Sequence, residues 1–231
     1  MPIRVRTAQQ HTAMFVVDAA AAQRMIDYSG LRVCRFGPGN RRALVVLMLM
    51  RYEDTDLGQY YEYGTNVMVN PPEDPHASGM KALQSAGAFV HHLPVDQSFT
   101  LEAGRTIWGY PKVMADFTVR NGRTFGFDVT IDGKFVIAMD FAPGLPTPAA
   151  LTSRSQVHST YSCLDGVVRE TPGQMVLSGV RYRPGGVSVR LGEHPYATEL
   201  ASLGFPKRAL VSSSAANVDM TFGDARIVGE R

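Results

Sequence analysis

Short stretches with the hydrophobic patterns of β-strands make up most of this chain. In Ile3-Arg4-Val5-Arg6 apolar and polar residues alternate with a period of two, and residues 41–50, of which the last eight are all apolar, predict a buried strand with core-filling methionines. Residues 59–69 predict a strand that has Tyr60 and Glu62 on the same face. Further strands are predicted at residues 88–93, 114–120, 124–131, 134–141, 156–163, 175–182, 187–191, 209–213 and 218–222.

Helical patterns are fewer and shorter than the strands. Residues 18–26 predict a helix that Asp18 caps and Gly30 ends, and further helices are predicted at residues 96–107, with Asp96 or Ser98 as cap, and 199–203. Asn121-Gly122 and Asp132-Gly133 are strong hairpin signals. The pattern therefore predicts a mainly β chain of the α+β class, either an antiparallel barrel or a sandwich with a few short helices.

The composition narrows the class of protein. A chain of 231 residues with 45% hydrophobic content has enough bulk for a real core, in one large domain or two small ones. The net charge of +2 is too small for a nucleic-acid-binding surface. The longest apolar run, residues 43–50, is too short to span a bilayer, and the first residues lack the apolar core of a signal peptide. We expect a soluble, cytoplasmic protein with no nucleic-acid or membrane partner.

The sequence does not predict a metal or cofactor site. Cys34 and Cys163 are the only cysteines, and their spacing suits neither a disulfide framework nor a metal site. His91 and His92 are adjacent on a predicted strand, so they are expected to point to opposite faces and not to share a metal. No Gly-rich phosphate loop occurs. We therefore expect a protein that needs no cofactor.

Lys112 is the candidate for chemistry. Of the four lysines, it alone has bulky apolar neighbours on both sides, in the run Ile107-Trp108-Gly109-Tyr110-Pro111-Lys112-Val113-Met114. Its side chain either extends along the apolar surface with its head in water, or is buried. Burial disfavours the charged ammonium form and yields a neutral amine that can attack a carbonyl. Local composition leaves both alternatives open.

Three motifs resemble those of the acetoacetate decarboxylase family. Gly104-Arg105 followed by Tyr110-Pro111-Lys112 is similar to the family's segment that carries the Schiff-base lysine. Leu57-Gly58-Gln59-Tyr60-Tyr61-Glu62-Tyr63-Gly64 resembles the segment of its active-site glutamate, and Leu210-Val211-Ser212-Ser213-Ser214 resembles a third motif. The three occur in the family's order, and the similarity spans most of the chain. The resemblance implies a single closed-barrel domain over residues 1–231.

Two positions depart from the family's decarboxylases. Val113 stands where those enzymes carry a second lysine, a neighbouring cation that is known in that family to activate the first. The segment 8–13 lacks the arginine that they hold near the substrate carboxylate. These departures weaken the assignment of the reaction but not that of the imine-forming lysine.

The resemblance implies a lyase in which Lys112 forms an imine with a keto acid and Glu62 transfers protons. Arg105 binds the substrate carboxylate or anchors its helix, and the pocket walls are expected from Tyr60, Trp108 and Tyr110. The simplest reaction is decarboxylation of a β-keto acid such as acetoacetate. The alternatives are an aldolase-dehydratase that condenses a 2-oxo acid with an aldehyde through the same imine, and a non-catalytic barrel that binds a small ligand. A homo-oligomer is expected, as is common in the family.

Overall fold

A computed structural model describes residues 2–152 and 154–230. Its strands are β1 Ile3–Asp18, β2 Arg42–Thr55, β3 Tyr60–Val69, β4 Gly87–Val95, β5 Lys112–Met114, β6 Asp116–Asn121, β7 Phe125–Ile131, β8 Lys134–Phe141, β9 Leu145–Pro146, β10 Gln156–Leu164, β11 Val167–Ser178, β12 Arg181–Pro184, β13 Val187–Leu191, β14 Val211–Ala215, β15 Asn217–Phe222 and β16 Arg226–Glu230. The helices are α1 Ala19–Ile26, α2 Gly79–Ser85, α3 Ser98–Trp108, α4 Ala149–Thr152 and α5 Pro195–Ser202, with 3-10 turns at Asp27–Ser29 and Pro38–Asn40.

Seven strands close into a barrel, which confirms the predicted fold class. The order around it is β1-β2-β3-β4-β10-β11-β15, and β15 pairs with the start of β1 through Ile3 and Phe222. Neighbouring barrel strands are antiparallel except for β4 and β10, which pair in parallel through Ala88 and Thr160. The C-terminal half of β1 pairs instead with β14, which continues the sheet through β12 to β9.

A second sheet of four strands, β13-β8-β7-β6, covers one outer face of the barrel. Outward-facing residues of β1 and β2, including Phe15, Val45 and Leu47, form one hydrophobic cluster with Phe127 and Ile137 of this sheet. Their neighbours along the same strands, such as Val46 and Met48, point into the barrel. The middle of β2 therefore has an apolar environment on both faces, which explains why residues 43–50 form a continuous apolar run.

Most of the predicted elements are confirmed, but several differ in extent. β1 continues to Asp18, α5 begins at Pro195, and Ala115 divides the strand predicted at residues 114–120 between β5 and β6. Asp18 caps α1 by accepting a hydrogen bond from the backbone N–H of Ala21. The hairpins at Asn121-Gly122 and Asp132-Gly133 are both present. The predicted caps of α3 were wrong, because Gln97 accepts the hydrogen bond from the backbone N–H of Thr100.

The strand predicted at residues 175–182 is also wrong in its extent. Gly179, with a φ of 62°, separates β11 from β12. β11 begins at Val167, directly after a tight turn in which Asp165 and Gly166 have φ values of 52° and 77°. Two consecutive positive φ values are what a two-residue hairpin requires. Asp165-Gly166 is therefore a local sequence signal for the start of β11.

No helix in the described residues is both long enough and apolar enough to cross a membrane.

Candidate active site

Lys112 is positioned by a helix end followed by a short strand. Gly109 ends α3 in the left-handed conformation, with a φ of 63°, and its N–H donates to the carbonyl of Arg105. Pro111 cannot continue the helix, and Lys112 opens β5, which pairs in parallel with β4. In this register Lys112 is opposite Leu93 and faces the barrel interior, whereas Val113 packs against the outer hydrophobic cluster.

Lys112 forms a buried ion pair with Glu62. Its side chain is only 3% exposed, and its Nζ lies 2.8 Å from Oε2 of Glu62, which is 7% exposed. The other carboxylate oxygen of Glu62 accepts a hydrogen bond of 3.0 Å from the hydroxyl of Tyr52. Of the two alternatives for Lys112, burial is therefore the one observed. Both predicted catalytic residues are in direct contact.

The approach of Lys112 to α3 depends on Gly104. A Cβ atom placed on Gly104 would lie 2.6 Å from Cε and 2.7 Å from Cδ of Lys112, closer than side-chain atoms approach one another. The glycine thus leaves a channel through which the lysine side chain reaches Glu62. This contact gives a physical reason for the Gly-Arg pair that precedes the Pro-Lys by a few residues.

Aromatic side chains surround the ion pair. Nζ of Lys112 lies 5.2 Å from the centre of the Tyr60 ring, which stacks on Tyr52 at 4.2 Å. Tyr110 is buried and forms a 2.7 Å hydrogen bond with Thr160 through its hydroxyl. Burial raises the pKa of Tyr110 to about 12, and burial together with the Glu62 charge raises that of Tyr52 well above its ordinary value. These phenols therefore stay protonated near neutral pH, and Tyr52 donates its proton to the hydrogen bond with Glu62.

The three predicted wall residues lie beside Lys112 in the barrel interior, whereas Arg105 lies on the protein surface. Tyr60, Trp108 and Tyr110 line a cavity of about 20 Å³ beside Lys112, which has room for one water molecule. Arg105 is exposed on α3, and its Nη1 donates to the carbonyl oxygen of Lys112 over 3.3 Å. Of the two roles predicted for Arg105, this contact corresponds to anchoring the helix. The position of Arg105 lends no support to its predicted contact with the substrate carboxylate.

A much larger cavity fills the barrel on the other side of Glu62. It has a volume of about 330 Å³ and shares Tyr52, Glu62, Tyr110 and Phe222 with the small cavity. Six of the eleven methionines line it, so the expectation that Met48 and Met50 only fill core space was incomplete. The methionines concerned are Met14, Met48, Met50, Met68, Met175 and Met220.

Polar groups in this cavity are neutral apart from one. Among the described residues that line it, Glu62 is the one acidic side chain and there is no lysine or arginine. Gln10 occupies the β1 position in register with Met50 and Glu62, within the segment that lacks the family's arginine. Thr12 Oγ1 and His158 Nδ1 are buried without a hydrogen-bond partner in the described part of the chain. Burial also lowers the pKa of His158, so its ring is neutral near pH 7.

The third motif contributes to two cavities. Val211 and Ser213 of β14 line the large cavity, opposite Thr12 of β1. Ser212 and Ser214 point the other way and line a separate cavity of about 200 Å³ with His11.

His91 and His92 form a second cluster outside the barrel, and the prediction that they face opposite sides was wrong. The register between β3 and β4 shifts at this point, because Thr65 pairs with His92 but Asn66 pairs with Val90. His91 is thus the extra residue of a β-bulge, which places two consecutive side chains on one face. Nε2 of His91 and Nε2 of His92 lie 2.7 and 2.6 Å from Oε2 of Glu199 on α5.

Among the described residues, His91, His92 and Glu199 form the one group of side chains whose geometry could hold a metal ion. Their separations are those of hydrogen bonds, and the imidazoles have further partners. His92 stacks on Tyr196 at 3.4 Å, and Nδ1 of His91 bonds to the hydroxyl of Tyr28 at 3.0 Å. Burial lowers the pKa of His92 to about 4, so it is neutral. Burial opposes ionisation of Glu199, but hydrogen bonds from both histidines outweigh it and lower the pKa of the carboxyl. The cluster acts as a hydrogen-bonded clamp between β4 and α5.

Known structures share this architecture. A crystal structure of acetoacetate decarboxylase from Legionella pneumophila subsp. pneumophila str. Philadelphia 1 superposes with a TM-score of 0.72 at 18% identity, covering 100% of this chain and 88% of that one. The enduracididine biosynthesis enzyme MppR, complexed with the condensation product of pyruvate and imidazole 4-carboxaldehyde, gives 0.60 at 15% identity, with 99% and 90% coverage. An acetoacetate decarboxylase-like enzyme from Sphingomonas wittichii RW1 gives 0.58 at 14% identity, with 97% and 93% coverage.

Identities this low establish the fold alone, and no curated protein matches the sequence. The family assignment comes from the sequence itself. The family described as acetoacetate decarboxylase (ADC) matches residues 1–231, and so includes the segments of Lys112 and Glu62. The chain therefore belongs to the acetoacetate decarboxylase family.

Proposed function

We propose that this protein is a carbon–carbon lyase that forms an imine between Lys112 and a keto acid, and that it decarboxylates a β-keto acid. The observation that carries the proposal is the buried Lys112–Glu62 pair, with an Nζ–Oε2 distance of 2.8 Å, at the wall of a large cavity. A buried ion pair can neutralise itself by moving one proton from the ammonium to the carboxylate. The products are a neutral amine and a neutral acid, the two forms that imine formation requires.

In the first half of the reaction the Lys112 amine adds to the substrate ketone and gives a carbinolamine. Protonated Glu62 donates its proton to the carbinolamine hydroxyl, which leaves as water and gives the cationic iminium. The small cavity beside Lys112 has a volume of about 20 Å³ and can accept this one water. Tyr52, which donates to Oε1 of Glu62, holds the carboxylate in place throughout.

In the second half the bond between the α-carbon and the carboxylate breaks and carbon dioxide leaves. The electron pair of that bond enters the iminium and forms a neutral enamine. Glu62, reprotonated by water, then protonates the enamine carbon and regenerates an iminium. Water then adds to the iminium and releases the ketone product with the free lysine. The reaction consumes one proton and needs no cofactor.

A second candidate, an aldolase-dehydratase, uses the same iminium to condense a 2-oxo acid with an aldehyde. Two observations favour it: Val113 replaces the second lysine, and Gln10 lies on the strand where an arginine was expected. MppR, one of the structural neighbours, carries a condensation product of pyruvate and an aldehyde. A non-catalytic barrel that binds a small ligand is the third alternative, because a fold can persist after its activity is lost.

Borohydride trapping tests the proposal. The protein is incubated with acetoacetate, with longer β-keto acids or with pyruvate plus an aldehyde, reduced, digested and analysed by peptide mass spectrometry. We expect a reduced adduct on Lys112 that is absent in Lys112→Ala and retained in Lys81→Ala, a control at an exposed lysine. Carbon dioxide release would then identify decarboxylation, and enone formation would identify the aldolase-dehydratase. If no carbonyl compound gives an adduct on Lys112, the lyase proposal is wrong and the binding barrel is favoured.

A further inference from the structure

The large cavity is long as well as wide. Along β3 its wall runs from Glu62 through Asn66 to Met68, and along β4 from Leu93 through Val90 to Ala88. Six residues of extended strand separate Glu62 from Met68, a length of roughly 20 Å. Glu62 lies at one end of this space, where its partner Lys112 lines the adjoining small cavity, and Ala88 lies opposite Met68 at the other end. Such a shape suits a chain-like ligand whose reacting group is at one end.

The lining of the cavity is apolar along most of this length. Beside the six methionines it contains Val46, Ala88, Val90, Leu93, Leu177 and Phe222. Methionine side chains are flexible and polarisable, so they adapt to ligands of different shape. An apolar cavity of this kind gains little by enclosing a small, strongly hydrated acid, since such a ligand would leave most of the walls without contact.

The volume leads to the same conclusion. A cavity of about 330 Å³ has room for on the order of ten water-sized groups, because one water occupies about 30 Å³ in the liquid. Acetoacetate has only about seven non-hydrogen atoms, and its reacting end lies by Lys112, so it would fill only part of this space.

We propose that the natural substrate is a β-keto acid with an apolar chain beyond the ketone, and that this chain fills the methionine-lined cavity while the ketone reacts with Lys112. This inference rests on the imine chemistry proposed above. It differs from that proposal in a way that can be measured separately, because it concerns the selectivity of the cavity and not the identity of the reacting lysine.

The test uses the unmodified protein and a series of straight-chain substrates from acetoacetate to 3-oxododecanoate, lengthened by two methylenes at a time. Carbon dioxide release gives kcat/KM for each substrate. Each buried methylene is expected to raise kcat/KM about fourfold until the cavity is full, after which the values level off. The corresponding 2-alkanones, added as competitive inhibitors, should show the same increase in affinity with length.

A variant locates the effect in the cavity. Ala88→Phe places a ring at the end farthest from Glu62, and should reduce the ratio of kcat/KM for 3-oxodecanoate to that for acetoacetate by about tenfold or more. Ala20→Phe is the matched control, because Ala20 is exposed on α1 and outside the cavity. It should leave that ratio unchanged.

The outcomes separate this inference from the proposed function. A Lys112 adduct with acetoacetate, together with kcat/KM values that stay flat or fall as the chain lengthens, would overturn the apolar substrate and leave the imine chemistry intact. Inhibition by 2-alkanones that does not depend on their length would also overturn it, even if Ala88→Phe failed to fold. If the 2-alkanones bind more tightly with length but no substrate gives an adduct on Lys112, the proposed reaction fails while the apolar selectivity of the cavity holds.

Discussion

Each side of β4 has a cluster centred on one glutamate oxygen, and the two clusters have similar local geometry. Inside the barrel, Oε2 of Glu62 lies 2.8 Å from the nitrogen of Lys112. Outside, Oε2 of Glu199 lies 2.7 and 2.6 Å from the nitrogens of His91 and His92. The difference lies in their surroundings. The inner cluster borders an unfilled space of about 330 Å³, whereas the outer one is packed against Tyr28 and Tyr196.

The comparison shows that the surroundings of a buried charged group decide whether it acts in chemistry or in stability. A cluster that is packed between side chains of two elements and lines no cavity holds those elements together. A cluster that also borders free volume can meet a ligand, and its amine and carboxylate can exchange a proton. We therefore expect changes at the inner cluster to alter chemistry far more than stability, and changes at the outer cluster to do the reverse.

The largest effect is expected for Glu62→Gln. An amide cannot take the proton from Lys112 or return one to the carbinolamine, so the rate of imine formation should fall by about 10²- to 10⁴-fold. Borohydride trapping at fixed times measures this rate, and Glu102→Gln on the exposed side of α3 is the control. Trapping at the wild-type rate in Glu62→Gln would remove Glu62 from the mechanism.

A smaller loss is expected for Gly104→Ala. The added methyl group would lie 2.6 Å from Cε of Lys112 and must displace it from Glu62, which should reduce kcat/KM about tenfold or more. Alanine also favours the helix by up to about 1 kcal/mol, which offsets part of the stability lost when the buried ion pair is disturbed. Thr106→Ala, on the exposed side of α3, is the matched control. Unchanged kinetics in Gly104→Ala would mean that the close contact has no catalytic consequence.

For the outer cluster, Glu199→Gln should affect stability and spare the chemistry. Replacing the carboxylate weakens two hydrogen bonds that hold α5 to β4, at a cost of about 1–2 kcal/mol in the free energy of unfolding. Urea unfolding measures this change, and Glu193→Gln, an exposed neighbour, should show none of it. A trapping rate at Lys112 that fell with Glu199→Gln would contradict the separation of the two clusters.

A further effect, seen only in the pH dependence of stability, concerns His11, whose ring stacks on Phe125 at 3.5 Å. Burial lowers its pKa from 6.5 to about 4, so the unfolded chain takes up this proton before the folded protein does. The free energy of unfolding should therefore decrease as the pH falls from about 6.5 to about 4, by about 2 kcal/mol for this residue. His11→Gln should remove that part of the pH dependence, while His76→Gln in an exposed loop should leave it. Equal pH dependence in the His11 variant and wild type would show that another group is responsible.

The inner cluster could be predicted from the sequence, but the outer one could not. Lys112 stood out because its neighbours along the chain are apolar, and the three motifs added Glu62. The outer cluster depends on a β-bulge at His91, and its third member, Glu199, is more than a hundred residues away. A register shift depends on how two strands pair, so it has no local sequence signal.

A pocket inside the barrel was predicted, but the residues that line the large cavity were not, for a related reason. The middle of β2 is apolar on both faces, so the run of residues 43–50 does not show which side chains meet solid core and which meet free space. Met48 and Leu49 are indistinguishable in that pattern, yet one lines the cavity and the other packs against the second sheet. Their different surroundings arise only when the barrel closes.

The fluorescence of one tryptophan can report on the closure of the barrel, where β15 pairs with the start of β1. Trp108 is the sole tryptophan, its Nε1 donates to the carbonyl of Gly223, 115 residues away, and its ring contacts Phe222 at 5.4 Å. Phe222 in turn pairs with Ile3, so the indole lies where distant parts of the chain meet. Contacts this far apart in sequence are slow to form. Indole emission should therefore shift when the barrel closes, and during refolding it should change together with the return of Lys112 reactivity.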